Sequence, residues 1–255
     1  MTTGTRQDGD FCWINMLTPE PERARAFFGT VLGWTYDDIP GMGHLVQVDG
    51  RNIGGLFDLA GPNTPPGTPP HIGIMVKVAS ADETAERVKA LGGQSPAVFD
   101  VMTSGRMAVC IDPTGVRFDL WQPLERAGTD ADSLHHDTPS WFEARTNDVA
   151  RATVFYSELF GWSSDTMDMP TGKYTVFRLG DESIAGMIGF SPEMGATAAE
   201  WAVHFTVRDA DAAVRDAASA GGTIRMPVYD IPGVGRGAGI ASPQGVTFHV
   251  IEYRG

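Results

Sequence analysis

The chain has 255 residues, 42% hydrophobic and 20% charged, with a formal net charge of −13. That composition is globular, and the acidic balance excludes nucleic acid and anionic membrane surfaces as partners, because both need a basic patch. No apolar run approaches the roughly 20 residues that span a bilayer, and the polar, Gly-rich start lacks the apolar stretch of a secretory signal. The only cysteines, Cys12 and Cys110, lie in apolar strand-like runs, which predicts two reduced buried thiols and a cytoplasmic address.

In chain order, residues 1–10 read as a flexible tail and a strand opens at Phe11. Ala24, Phe27, Phe28 and Val31 then fall at i, i+3, i+4 and i+7, which predicts an amphipathic helix over 19–32, capped by Thr18 and stopped at Gly33. Short strands with Gly and Asp turns follow, then a Pro-rich connector, GPNTPPGTPP. A second strand and a helix over 81–91 end at Gly92, and strands run on through DVMTSGRMAVCIDPTGVRFDLW. PLERAGTDADSLHHDTP (123–139) is a polar, Pro-bounded linker. Ala152, Phe155, Tyr156 and Leu159 predict a third helix over 148–160, capped by Asn147 and stopped at Gly161. SPEMGATAAE fills the place of the earlier connector, and Ala210, Ala213, Val214, Ala217 and Ala218 predict a fourth helix over 210–220, stopped at Gly221.

These elements repeat. Trp13, Thr18, Phe27, Gly33 and Trp34 match Trp141, Thr146, Phe155, Gly161 and Trp162 without a gap. Later, Gly105-Arg106 matches Gly235-Arg236, and Pro113-Thr114-Gly115 matches Pro243-Gln244-Gly245. A repeat of this length sets the architecture before any other signal does. The expected fold class is α+β, with four βαβββ modules in two tandem domains, 11–122 and 140–255.

Four βαβββ units, the helix pattern A-x-x-FY-x-x-x-x-GW and the D-P-x-G turn resemble the vicinal oxygen chelate superfamily, which includes glyoxalase I, bleomycin-resistance proteins and extradiol dioxygenases. The tandem arrangement also resembles a two-domain actinobacterial subgroup labelled hydroxylase or glyoxalase-like. The resemblance implies paired modules whose sheets curl into U-shaped clefts, with metal ligands on the first strands of the paired units and on the last strand. The positions it implies hold Trp13 and Trp141, then Gly73 and Ala202, and last Asp119 and His249. Only the last pair can ligate, so no metal cofactor is expected; Glu143, His204 and His249 are the alternative set for a divalent ion.

Strand alternation then decides what shares a face. If the implied clefts form, Trp13, Asn15, His71, Met75, Asp119 and Trp121 line the first. Trp141, Glu143, His204, Thr247 and His249 line the second, with Arg236 near a strand start as a ligand clamp. Glu143, His204 and His249 suit acid–base chemistry, since imidazole titrates near neutral pH. The tryptophans suit stacking on a planar ligand. The reading is an enzyme, monomer or homodimer, acting without metal on an oxygen-rich, cyclic or aromatic metabolite by isomerase, lyase or hydroxylase chemistry. Its rivals are a bleomycin-resistance-like binder and a metal-dependent glyoxalase or dioxygenase with a shifted site. No Walker A, G-x-S-x-G or C-x-x-C motif competes.

Overall fold

A computed structural model describes residues 6–61, 64, 67–169, 172–189 and 199–254. Parts of both connectors, 61–70 and 191–200, lie outside them.

Each module is a strand, a helix and three strands. The first comprises β1 (Phe11–Thr18), α1 (Pro21–Leu32), β2 (Thr35–Ile39), β3 (Gly43–Val48) and β4 (Arg51–Asp58). The second comprises β5 (His71–Lys77), α2 (Ala81–Ala90), β6 (Gln94–Val101), β7 (Gly105–Ile111) and β8 (Arg117–Pro123). The third comprises β9 (Pro139–Thr146), α3 (Val149–Phe160), β10 (Ser163–Met169), β11 (Gly172–Leu179) and β12 (Glu182–Gly189). The fourth comprises β13 (Glu200–Thr206), α4 (Ala210–Ser219), β14 (Thr223–Ile231), β15 (Gly235–Ala241) and β16 (Thr247–Tyr253). Two eight-stranded sheets result, ordered β2-β3-β4-β1-β5-β8-β7-β6 and β10-β11-β12-β9-β13-β16-β15-β14.

The helices begin and end within two residues of the sequence expectation, but two caps differ. Thr18 is buried at the end of β1, and α1 starts without a side-chain cap, with Pro at its first turn supplying helical φ instead. For α3 the cap is Asp148, which accepts from the backbone N–H of Arg151, rather than Asn147. Gly33 and Gly161 take the left-handed conformation that closes their helices.

By packing, the chain forms two compact units. One gathers the chain up to Trp13 with Ile74–Gly128 and Trp141–Ala202; the other gathers Ile14–Gly73, Thr129–Ser140 and Val203–Gly255. Aromatic side chains show why each coheres. In the first, Phe118 of β8 packs edge-on against Phe155 and Tyr156 of α3, and Phe11 stacks on Phe142 at 4.0 Å. In the second, Phe248 of β16 packs against Phe27 and Phe28 of α1, and Phe205 against Trp34. The helix of an odd module thus covers the last strand of an even one.

The segments read as tail and linker are partly built in. Gly9 donates to the Lys77 carbonyl, and the Lys77 ammonium reaches the Arg6 carbonyl at 2.7 Å, so residues 6–10 are anchored rather than loose. Leu124 and Arg126 both donate backbone N–H groups to the Ser104 carbonyl.

Candidate functional site

β9 alternates cleanly: Ser140, Phe142, Ala144 and Thr146 are buried against the core, while Trp141, Glu143 and Arg145 are half-buried on the opposite face. On that face a polar chain runs outward from the tryptophan. The Trp141 indole N–H donates to the Tyr174 hydroxyl at 2.8 Å. The Tyr174 hydroxyl donates to Glu143 Oε2 at 3.2 Å. Arg145 pairs with Glu143 Oε1 at 3.1 Å and with Glu200 at 3.4 Å. Burial raises the Glu200 carboxyl above its usual range, opposed by Arg145 and reinforced by Glu143. Tyr174 lies over Gly186, so close that a Cβ there would collide with its hydroxyl.

In the other unit, His204 and His249 are register partners on the parallel pair β13–β16. Their rings stack at 4.7 Å with 21° between planes, and the residues are 5% and 7% exposed. Phe248 and Val250 point the other way into the core, as alternation predicts. The His249 ring lies over Gly239, where a Cβ would stand 3.1 Å from Cε1. Thr247, on the same strand, is exposed at its start.

The equivalent pair in the second module is Met75–Asp119. Burial pushes the Asp119 carboxyl up to about 7, with Arg117 opposing. Around it, Trp121 donates its indole N–H to the Arg126 carbonyl at 2.9 Å, and the Arg126 guanidinium covers Trp13 at 5.4 Å. Trp13 is therefore a covered side chain, 8% exposed, rather than an open wall. Asn15 places Oδ1 in a buried position without a hydrogen-bond partner. His71 donates Nδ1–H to the Pro69 carbonyl at 2.8 Å, bracing the start of its strand.

Arg236 is held by Asp211 at 2.7 Å and Glu252 at 3.6 Å, and Arg106 is held in a similar way by Asp82 and Asp100. Both guanidiniums tie a strand start to the first turn of the helix in the same module. This internal tie replaces the ligand clamp expected of Arg236.

A metal does not fit this residue set. Among the described residues no three His, Cys, Asp or Glu side chains are placed to hold a metal ion; Glu143 lies in one compact unit, His204 and His249 in the other. The two imidazoles stack, which runs their in-plane lone pairs side by side instead of toward one ion. Trp13, Trp141, Gly73 and Ala202 supply no donor at the other positions.

Sequence reasoning singled out Trp141, Glu143, His204 and His249 and did not single out Tyr174, which the structure places against Glu143. The signal was Gly186 inside a strand, which marks close approach by another group. Also among the described residues, no helix is long and apolar enough to cross a membrane.

The family described as "Glyoxalase-like domain" matches residues 13–121, and the "Glyoxalase/Bleomycin resistance protein/Dioxygenase superfamily" matches residues 138–250. Putative glyoxylase CFP32 of Mycobacterium tuberculosis is 33% identical over 250 residues, covering 94% of this chain and 93% of that protein. Anthracycline biosynthesis protein DnrV of Streptomyces peucetius is 29% identical over 262 residues, covering 95% and 92%. Among solved structures, the Mn(II)-bound glyoxalase of Novosphingobium aromaticivorans superposes with a TM-score of 0.66 at 12% identity, covering 98% of this chain and 83% of that one. The 2,3-dioxygenase LapB of Pseudomonas sp. KL28 gives 0.66 at 11% identity, covering 99% and 93%. Identities this low speak for the fold alone.

Proposed function

Because this chain belongs to the glyoxalase/bleomycin-resistance/dioxygenase (vicinal oxygen chelate) superfamily, we propose that it is a metal-independent enzyme using acid–base chemistry on an oxygen-rich, polycyclic aromatic metabolite. The observation that carries the reading is the His204–His249 pair, two buried imidazoles stacked on adjacent strands, on the strand faces opposite Phe205 and Phe248. Neutral imidazole both gives and takes protons near pH 7, so either ring of the pair can act as base or acid toward a bound ligand. In the other unit, Glu143 is surrounded by donors and serves as a base there. Trp141 provides the stacking surface beside it. The relative named for anthracycline biosynthesis supports a fused-ring aromatic substrate from secondary metabolism.

The test is to incubate the protein, in excess EDTA, with hydroxylated naphthalenes and anthraquinones and to detect products by mass spectrometry. Turnover should survive the chelator and fall by about 10²-fold or more in His249→Ala, the usual scale for losing a general acid–base group. Turnover abolished by EDTA and restored by a divalent ion would overturn metal independence. Ligand binding without any product, and only a modest affinity change in His249→Ala, would make the chain a bleomycin-resistance-like binder instead.

A further inference from the structure

We propose that Trp141, Tyr174 and Glu143 form a one-way hydrogen-bond chain that makes this face selective for planar aromatic ligands carrying a free hydroxyl group. The inference names the ligand class for the Trp141 face proposed above and rests on that reading.

The direction of the chain is fixed by chemistry. An indole N–H can only donate, so the Tyr174 oxygen accepts from Trp141 at 2.8 Å. The phenol has one proton, and it goes to Glu143 Oε2 at 3.2 Å. On the other oxygen, Arg145 is a donor-only group at 3.1 Å. Both oxygens of Glu143 therefore act as acceptors. A carboxylate offers about four acceptor sites, so it keeps capacity for a further donor. A ligand stacked on the half-buried Trp141 ring meets an acceptor and gains by donating; a methyl ether in the same place meets a desolvated carboxylate with nothing to offer it.

The internal repeat shows that the fold does not require this chain. Glu143 is the register partner of Gly186, as Asn15 is of Gly55 in the first module. Over Gly55 lies the ring of Phe57, which has no hydroxyl, and Asn15 Oδ1 is left without a hydrogen-bond partner. The same strand pairing thus closes with an apolar ring. The phenol of Tyr174 is an addition to it, aimed at one carboxylate.

The experiment compares 2,6-dihydroxynaphthalene with 2,6-dimethoxynaphthalene by isothermal titration calorimetry on the full chain. Wild type should bind the diol at least about 10-fold more tightly, the scale of one hydrogen bond to a charged group. Tyr174→Phe keeps the ring but removes the donor that holds Glu143 Oε2 in place; with the carboxylate no longer positioned, the ratio should fall below about 3-fold with no change in the far-ultraviolet circular dichroism spectrum. Glu143→Gln, which adds donors, should also collapse the ratio. Equal affinity of the wild type for the two probes, or binding of neither, would overturn the inference, as would a ratio unchanged in Tyr174→Phe. The outcome is separable from the enzymatic reading, because discrimination needs no turnover: loss of discrimination with turnover intact removes only this inference, and discrimination without turnover removes only the enzyme.

Discussion

Met75 and Asp119 stand side by side on β5 and β8 in the register that His204 and His249 hold on β13 and β16. The backbone, the parallel pairing and the phenylalanine on the opposite face are shared; the chemistry is not. In one module a lone carboxyl is desolvated beside a thioether and a tryptophan. In the other, two imidazoles stack over a glycine. The face that carries Phe118 and Phe248 is alike in the two modules, and the opposite face differs in chemistry.

The shared face gives the largest expected effects. Phe118 and Phe248 are both almost fully buried and packed against the helix of an odd module. Truncation of either to alanine should cost about 3–5 kcal/mol in urea denaturation. The two costs should agree within about 1 kcal/mol; a much cheaper one would mean that the scaffold is not equivalent in the two modules.

Asp119 sharpens the contrast next. Its carboxyl titrates at about 7 in the folded chain against 3.8 for an unperturbed aspartate, because burial disfavours the charge. Between those values the folded state binds the extra proton, so wild-type stability is lost as pH rises from about 4 through 7. Asp119→Asn removes that slope and should stabilise the chain by about 2–4 kcal/mol at pH 8, since each tenfold change in proton affinity is worth about 1.4 kcal/mol, while leaving it unchanged at about pH 3. Thermal melts across that range decide it. A parallel pair of pH profiles would show that the carboxyl is not desolvated.

How much of this was legible in the sequence follows the same division. Helices and strands were readable because Phe27, Phe28, Phe155 and Tyr156 impose the 3.6-residue period and the glycines stop each helix. The outward pairing of Trp141 with Glu143 was readable from alternation alone. What was not readable depends on register between strands distant in sequence. Tyr174 reaches Glu143 only because β11 pairs with β12 and β12 with β9. Arg236 looked like a ligand clamp because nothing local shows that Asp211, on the first turn of α4, lies beside it. The raised Asp119 carboxyl was not legible because desolvation is a property of neighbours, not of the residue.

Gly186 and Gly55 test the relay at a smaller cost. A methyl at either position drives into an aromatic ring, Tyr174 in one case and Phe57 in the other. Each alanine variant should lose about 1–3 kcal/mol from overpacking. Only Gly186→Ala should also abolish discrimination between the diol and its dimethyl ether, since only there does the displaced ring carry a hydroxyl. Loss of discrimination in Gly55→Ala would show that the effect is general disorder of the sheet.

The smallest expected effect lies beneath His249. Gly239 pairs with it across β15–β16, and Val109 holds the matching place opposite Asp119. A Cβ at 239 would stand 3.1 Å from Cε1 and 3.3 Å from Nδ1 of the imidazole, so the ring must yield by a few tenths of an ångström. The chain can absorb this by a small tilt, and Gly239→Ala should change stability by less than about 1 kcal/mol, with the intrinsic strand preference of alanine offsetting part of the crowding. The imidazole has less freedom. A tilt on the Gly239 side must be taken up on the His204 side, because the two rings stack at 4.7 Å. The nitrogen and carbon resonances of both imidazoles should therefore move together in the variant, measured by heteronuclear NMR on histidine-labelled protein. The converse change, Val109→Gly, opens space beside the Asp119 carboxyl in the other unit, and should leave both imidazole signals where they were. Movement of the His249 signals alone in Gly239→Ala would show that the two rings respond independently, and the stacked pair would then be two separate histidines rather than one packed unit.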